Sequence, residues 1–225
     1  MSHRRSPLGF AVLLAGGMLT IPPLTSGVFD VPFGWHAIGD LSYVIGADTG
    51  IGPGRSGFTV GTIKSIDERP VGTGVMLQSV KADEYLGRRI RLTGYLKAQA
   101  SEADASLWMR VDGATQVLAS DYMEGRPIRG TSDWTKYEIV LDVPRTAVGV
   151  SFGIALVGSG QVWADDLSLD VVPRTIGLTG RQFESGAATL RFDRDGRFRS
   201  ARELYATAPR WPVNLNFEDR TIASR

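Results

Sequence analysis

Cysteine is absent from the 225 residues. No disulfide can staple this fold, no thiolate can attack a substrate and no lipid can be attached through sulfur, so a packed core must hold the chain together. Histidine is nearly as scarce, with His3 close to the start and His36 alone in the body. Neither a Gly-x-Ser-x-Gly elbow nor a Ser-x-x-Lys motif occurs, and Ser-based nucleophilic catalysis therefore lacks its parts. Paired carboxylates for glycoside hydrolysis stand in no distinctive context except Asp165-Asp166. The body also lacks any long amphipathic helical period, which excludes a helical bundle.

Charge of one sign is missing from the chain as a whole, at 25 basic and 24 acidic residues, but not from its parts. Residues 28–172 carry 13 basic and 18 acidic residues, whereas residues 173–225 carry 10 and 6. An acidic body has little attraction for phosphate backbones, so no nucleic-acid partner is expected. The basic tail reads as a solvated, Arg-rich linker.

At the N-terminus, His3-Arg4-Arg5 precedes an apolar stretch from Leu8 to Leu24 that Gly16, Gly17, Pro22 and Pro23 make a poor membrane-spanning helix. Residues 1–27 are therefore expected to be an export signal, or an uncleaved anchor and the chain's only membrane contact. An exported, periplasmic or extracellular monomer is the expectation. Residues 28–172 have the size of one domain.

Within that body, 19 glycines and 5 prolines separate short segments that alternate apolar with polar. Residues 58–64, 74–80, 88–97, 107–113, 116–119, 134–143, 148–156 and 161–172 read as strands, with a polar loop over 98–105. Ile90, Leu92, Leu96, Leu107, Met109, Val111, Ile139, Leu141, Val150, Phe152 and Ile154 fall in phase for a shared core. Strands at this spacing, joined without crossover helices, predict an all-β antiparallel sandwich or jelly roll. The aromatic cluster around Trp35 predicts core packing. Gly52 to Gly57 matches G-x-G-x-x-G, but Pro53 lies inside it and no helix follows, so it predicts a turn.

The segment Leu107–Gly113 organises the rest. Its apolar residues face one way and Trp108, Arg110 and Asp112 the other. A pyranose presents an apolar C–H face and several hydroxyls, so a site for it needs an aromatic platform flanked by forked donors and acceptors. Trp108 and Tyr95 are candidates for the platform, with Arg110, Asp112 and Arg91 for the polar groups and Gln78 on the same face. In that arrangement Trp108 points out of the core and its truncation leaves stability unchanged. The plainer alternative is that Trp108 caps the core edge and Arg110 pairs with Asp112 or Glu138. A protein partner would also select an aromatic beside an arginine.

The run Tyr85-Leu-Gly87 into Leu92-Thr-Gly94-Tyr95-Leu-Lys97, then Leu107 to Asp112, Asp133-Trp134-Thr-Lys-Tyr137, Val143-Pro144 and Gly160-Gln-Val-Trp163-Ala-Asp165-Asp166, resembles galactose-binding-domain-like jelly rolls, which include many carbohydrate-binding modules. The resemblance covers residues 33–172 and extends to a bacterial subgroup found as an accessory module on regulators and esterases. It implies non-catalytic binding on a concave sheet, without a required cofactor, for a carbohydrate such as a glycan or cell-wall saccharide. The alternative is a protein-interaction or sensory module of the same fold. It also implies a structural calcium ion near Asp165 or Asp166, remote from the ligand. Beyond residue 172 the chain divides into an Arg-rich linker over 173–211, with a hairpin at 189–199, and a strand over 212–218. That strand resembles the opening strand of such domains, and is expected to return to the vacant sandwich edge with Val213, Leu215 and Phe217 in the core and Glu218 near Asp165-Asp166.

Overall fold

A computed structural model describes residues 30–51, 54–100, 103–183 and 201–219. Among these residues there are eleven strands: β1 (His36–Ile38), β2 (Tyr43–Asp48), β3 (Val60–Ser65), β4 (Gly74–Lys81), β5 (Arg89–Ala100), β6 (Asp104–Gly113), β7 (Val117–Asp121), β8 (Thr131–Asp142), β9 (Ala147–Val157), β10 (Gly160–Val172) and β11 (Arg181–Gln182). The described helical pieces are a 3-10 turn over Asp83–Tyr85 and the five-residue helix α1 (Ala201–Tyr205). No described helix is long and apolar enough to cross a membrane. The expected export signal and the hairpin at 189–199 lie outside the described residues.

All described pairings are antiparallel, in a six-stranded sheet of order β1-β4-β9-β6-β7-β11 and a five-stranded sheet of order β2-β3-β10-β5-β8. The inner faces make one apolar core, and every residue expected there from the period-two alternation is buried in it. Trp35 joins the core through an edge-on contact with Phe152. The expected loop over 98–105 is shorter than the sequence suggests. Ala98 and Gln99 continue β5 by pairing with Ser132 and Thr131 of β8 and with Val162 and Gln161 of β10. Small and polar side chains do not end a strand whose backbone has ladder partners on both sides.

Residues 213–219 form a strap and not the regular edge strand that Val213, Leu215 and Phe217 suggest. Asn214 and Phe217 are left-handed, at φ 50° and 61°, and two such residues curl an otherwise extended segment. Phe217 is fully buried, with its ring 4.8 Å from that of Trp35, while Val213 and Leu215 are half-buried. Gly61 leaves the space that the Phe217 ring fills, since a β-carbon there would collide with it. Backbone contacts to the strap are isolated: Leu167 N–H donates to Leu215 O (3.0 Å) and Phe33 N–H to Asp219 O (3.2 Å). The first of these falls where β10 bulges between Asp165 and Ser168.

Candidate functional site on the outer face of the six-stranded sheet

Alternation along β6 turns Ser106, Trp108, Arg110 and Asp112 to the outer face of the six-stranded sheet, away from the core. On its neighbour β9, the outward positions are Gly149, Ser151, Gly153 and Ala155, all small. Register places Gly153 between Trp108 and Leu77, Ser151 between Arg110 and Ser79, and Gly149 between Asp112 and Lys81. The floor along β9 is therefore low, with taller side chains of β4 and β6 on either side.

Instead of standing open, this face is covered. Trp108 is 1% exposed, packed with Val75, Leu77 and Ala155 and flanked by Ile38 and Tyr122. The Tyr122 ring stacks on it at 6.0 Å and 23°. Trp108 is thus a packed residue and not a solvent-facing platform, because the small floor residues of β9 let it sit among the β4 side chains. Two buried polar atoms on the same strand, Trp108 Nε1 and Ser106 Oγ, have no hydrogen-bond partner among the described residues. An unpaired buried donor carries a desolvation penalty of about 1–3 kcal/mol.

Beside the tryptophan lies a polar chain. Arg110, 2% exposed, donates to Asp112 Oδ2 from Nη2 (2.9 Å) and Nε (3.2 Å), and Asp112 itself is fully buried. The sequence alternative of an Arg110–Asp112 pair is what forms, but under cover. The Tyr205 hydroxyl of α1 donates to the same Oδ2 (2.6 Å) and contacts Ser151 Oγ (2.6 Å), which contacts Ser79 Oγ (2.8 Å). With the phenol proton committed to Asp112, the serines donate in sequence, Ser79 to Ser151 and Ser151 to Tyr205. Burial alone would lower the Arg110 pKa, but the charge of Asp112, then Tyr205 and Tyr122, outweighs it and the net shift is upward. Burial, then the charge of Asp112, raises the Tyr205 phenol above its ordinary range.

Three of the expected ligand residues lie elsewhere. Tyr95 and Arg91 project from β5 on the outer face of the other sheet, so the sandwich separates them from Trp108. Tyr95 carries the Arg55 guanidinium 3.9 Å above its ring and pairs across the ladder with Asp165. Gln78 belongs to the six-stranded sheet but has the inward phase of Met76 and Val80. Its amide clamps the strap, with Nε2 donating to Val213 O and Oε1 accepting from Val213 N–H, both at 2.8 Å. Ser79, Gly149, Ser151, Tyr122 and Tyr205 were not among the sequence candidates.

The residues expected around a calcium ion do not offer it a cage. Asp165 is fully buried, and its Oδ2 accepts from the Arg55 (2.5 Å) and Ser56 (2.8 Å) amides while Oδ1 accepts from Ser56 Oγ (2.5 Å) and the Asp166 amide (2.7 Å). Four donors around one carboxylate occupy the positions from which it would bind a cation. Glu218 Oε1 accepts from the Thr59 amide (2.9 Å) in the same 54–59 turn, and Asp166 is exposed with a left-handed backbone at φ 51°. Among the described residues no group of three or more His, Cys, Asp or Glu is assembled for a metal. Asp165 and Glu218 act as clamps on the glycine-rich turn.

A cleft of about 550 Å³ opens between the end of β7 and β11, lined in part by Tyr122, Asp121, Glu124, Arg126, Thr179 and Arg181. Both guanidinium groups face carboxylates across it, Arg126 to Asp121 (2.7 Å) and Arg181 to Glu124 (3.6 Å). Tyr122 links this cleft to the Trp108 stack.

Solved structures align with about two thirds of this chain. In fold the chain is similar to carbohydrate-binding modules. The CBM22-1–GH10 modules of Clostridium thermocellum xylanase 10B, complexed with xylohexaose, align over 68% of this chain and 29% of that one at 15% identity and a TM-score of 0.46. TmCBM61 in complex with β-1,4-galactotriose aligns over 64% of this chain and 92% of its own, at 14% identity and 0.42. A Stig cyclase from Fischerella sp. TAU aligns over 65% and 88%, at 13% identity and 0.45. Likeness at this level says nothing about a shared site. No family model matches the chain. The Bacillus subtilis (strain 168) protein YbfP, called an uncharacterized HTH-type transcriptional regulator, is 44% identical over 127 residues, which are 56% of this chain and 43% of that protein. The chain thus spans less than half of that relative's length.

Proposed function

We propose that this chain is a non-catalytic carbohydrate-binding module, working outside the cytoplasm, whose site is the outer face of β6 and β9 around Trp108, Arg110 and Asp112. One observation carries the proposal: Trp108 Nε1 and Ser106 Oγ are buried there without partners, next to a guanidinium–carboxylate pair and two serine hydroxyls. A sheet that served only as scaffold would gain by apolar residues at positions 106 and 108. A polyhydroxylated ring entering beside the packed indole has hydroxyls that both donate and accept, and so satisfies such atoms. Structural calcium is not part of this proposal, given the donors around Asp165.

A glycan array with the full-length chain, followed by titration calorimetry, tests this. Ser106→Ala and Trp108→Phe each delete an unpaired polar atom, so the free protein should lose no stability from a broken bond. Affinity for the bound glycan should nevertheless fall by about tenfold in each, the loss of one ligand hydrogen bond. An array without hits, or hits that both variants leave untouched, removes the carbohydrate reading.

A second reading, a protein-interaction or sensory module, draws on a different observation: the face already holds a peptide segment, seated through Tyr205. The regulator name of the Bacillus subtilis relative is compatible with it. Array silence together with capture of a tyrosine-bearing peptide would favour it.

A further inference from the structure

Tyr205 occupies its position in the manner of a bound ligand. Its ring lies over Gly149, whose missing side chain makes the room, since a β-carbon there would fall inside the ring's contact envelope. Its hydroxyl makes the two contacts that a ring hydroxyl from solution would make, one to Asp112 and one to Ser151. Ala201 at the start of α1 is buried as well, and the described residues around the two lie at the surface. Arg202 and Glu203 are exposed, as are Ala206 and Thr207 just beyond, and a five-residue helix has no stability of its own. Backbone bonds run from Ala201 N–H to Ala114 O (3.0 Å) and, beyond the helix, from Lys81 N–H to Pro209 O (2.9 Å), where Arg210 also pairs with Glu84 and the Trp211 ring meets Tyr85 edge-on. The strap after it is fixed independently, through Gln78, Trp35 and the buried Phe217. Tyr205 is thus the large buried side chain described on α1, beside the small buried Ala201, and Phe217 is buried in the core independently of it.

We propose that the Tyr205 seat, formed by Gly149, Ser151 and Asp112, is a ligand subsite for a hydroxyl-bearing six-membered ring, and that Tyr205 fills it until such a ring displaces it. The inference rests on the binding function proposed above and adds both the chemistry of the subsite and the condition for entry. The incoming hydroxyl donates to Asp112 Oδ2 and accepts from Ser151, the ring packs over Gly149, and α1 lifts away on the exposed Ala206–Thr207 turn while Pro209 and the strap stay docked. No bond other than hydrogen bonds is made or broken. Apparent affinity is reduced by the fraction of molecules with the seat closed, so removing Tyr205 tightens binding without adding a contact.

The test uses the full-length chain, unaltered and as Tyr205→Ala and Tyr205→Phe, with two kinds of probe: p-cresol, and the oligosaccharides xylohexaose and β-1,4-galactotriose. Tyr205→Phe keeps the ring in the seat and guards against a Tyr205→Ala chain that fails to fold. Calorimetry should show a probe binding Tyr205→Ala at least about tenfold more tightly than the unaltered chain, with Tyr205→Phe between them. Ser151→Ala placed in the Tyr205→Ala background should weaken that binding. In the unaltered chain, saturating probe should speed amide exchange at residues 201–208 and leave 213–217 protected. Binding of p-cresol in this pattern with oligosaccharides silent supports the subsite and removes carbohydrate as the ligand. Oligosaccharide binding equal in all three chains, with exchange at 201–208 unchanged, overturns the displacement and leaves the carbohydrate reading standing. No binding by any probe overturns both.

Discussion

Trp108 shows how one residue can be read correctly for direction and wrongly for environment. Period-two alternation in Leu107–Gly113 turns it away from the core, and the pairing of Trp108 with Gly153 places it there. What the alternation does not contain is the identity of the residues packed against it, because Leu77, Ala155 and Tyr122 come from three other segments. The expectation of a neutral truncation changes accordingly. Trp108→Ala should cost about 3–5 kcal/mol in urea or guanidinium unfolding, the range for a large buried aromatic. A loss under about 1 kcal/mol would mean that the ring is not packed as described. Asp165 teaches the same lesson for charge: the resemblance puts a cation beside this carboxylate, and the structure puts four hydrogen-bond donors around it.

Among the elements, β9 carried more information than its apolar positions disclose. Val150, Phe152 and Ile154 announce the core face, while Gly149, Ser151, Gly153 and Ala155 between them announce a low floor on the other, a signal present in the sequence itself. The role of α1 had no such signal, since five residues after a basic linker have no period to read. Its Tyr205 has a pH signature. Burial, then Asp112, raises the phenol above its ordinary value of 10.0, so the folded state holds this proton more tightly than the unfolded chain does. The associated stability is complete below pH 10 and is lost as pH rises from there towards the folded value. Tyr43 and Tyr85 are raised as well, Tyr85 to about 12, so wild-type stability falls over this range for several reasons. Comparison with Tyr205→Phe isolates the one of interest. The variant should be less stable at pH 7 by about 1–3 kcal/mol, the cost of stripping a buried acceptor of its donor. The gap should narrow above pH 10, as read by denaturant midpoints at each pH. A gap that stays constant to the alkaline limit would detach Tyr205 from Asp112.

For the whole molecule, the two-sheet architecture was legible because it depends on short alternating segments separated by glycine and proline, and both are local features of the chain. The relation between the sandwich and residues 201–219 is not local. The bond from Trp35 Nε1 to Asn214 O joins residues 179 apart in sequence. Phe217→Ala should cost about 3–5 kcal/mol, and contacts closing so long a loop are expected to form after the main barrier is crossed. In a stopped-flow chevron the unfolding limb should therefore rise by most of the effect while the folding limb moves little. A slowed folding limb would place Phe217 in the nucleus. The same long reach governs biogenesis. Strands from β1 to β10 leave the ribosome well before Phe217 does, so the newborn sandwich passes through an interval with the space beside Trp35 and Gly61 unfilled. Chaperone capture during synthesis is expected to fall on that end of the molecule, and to cease when the strap arrives.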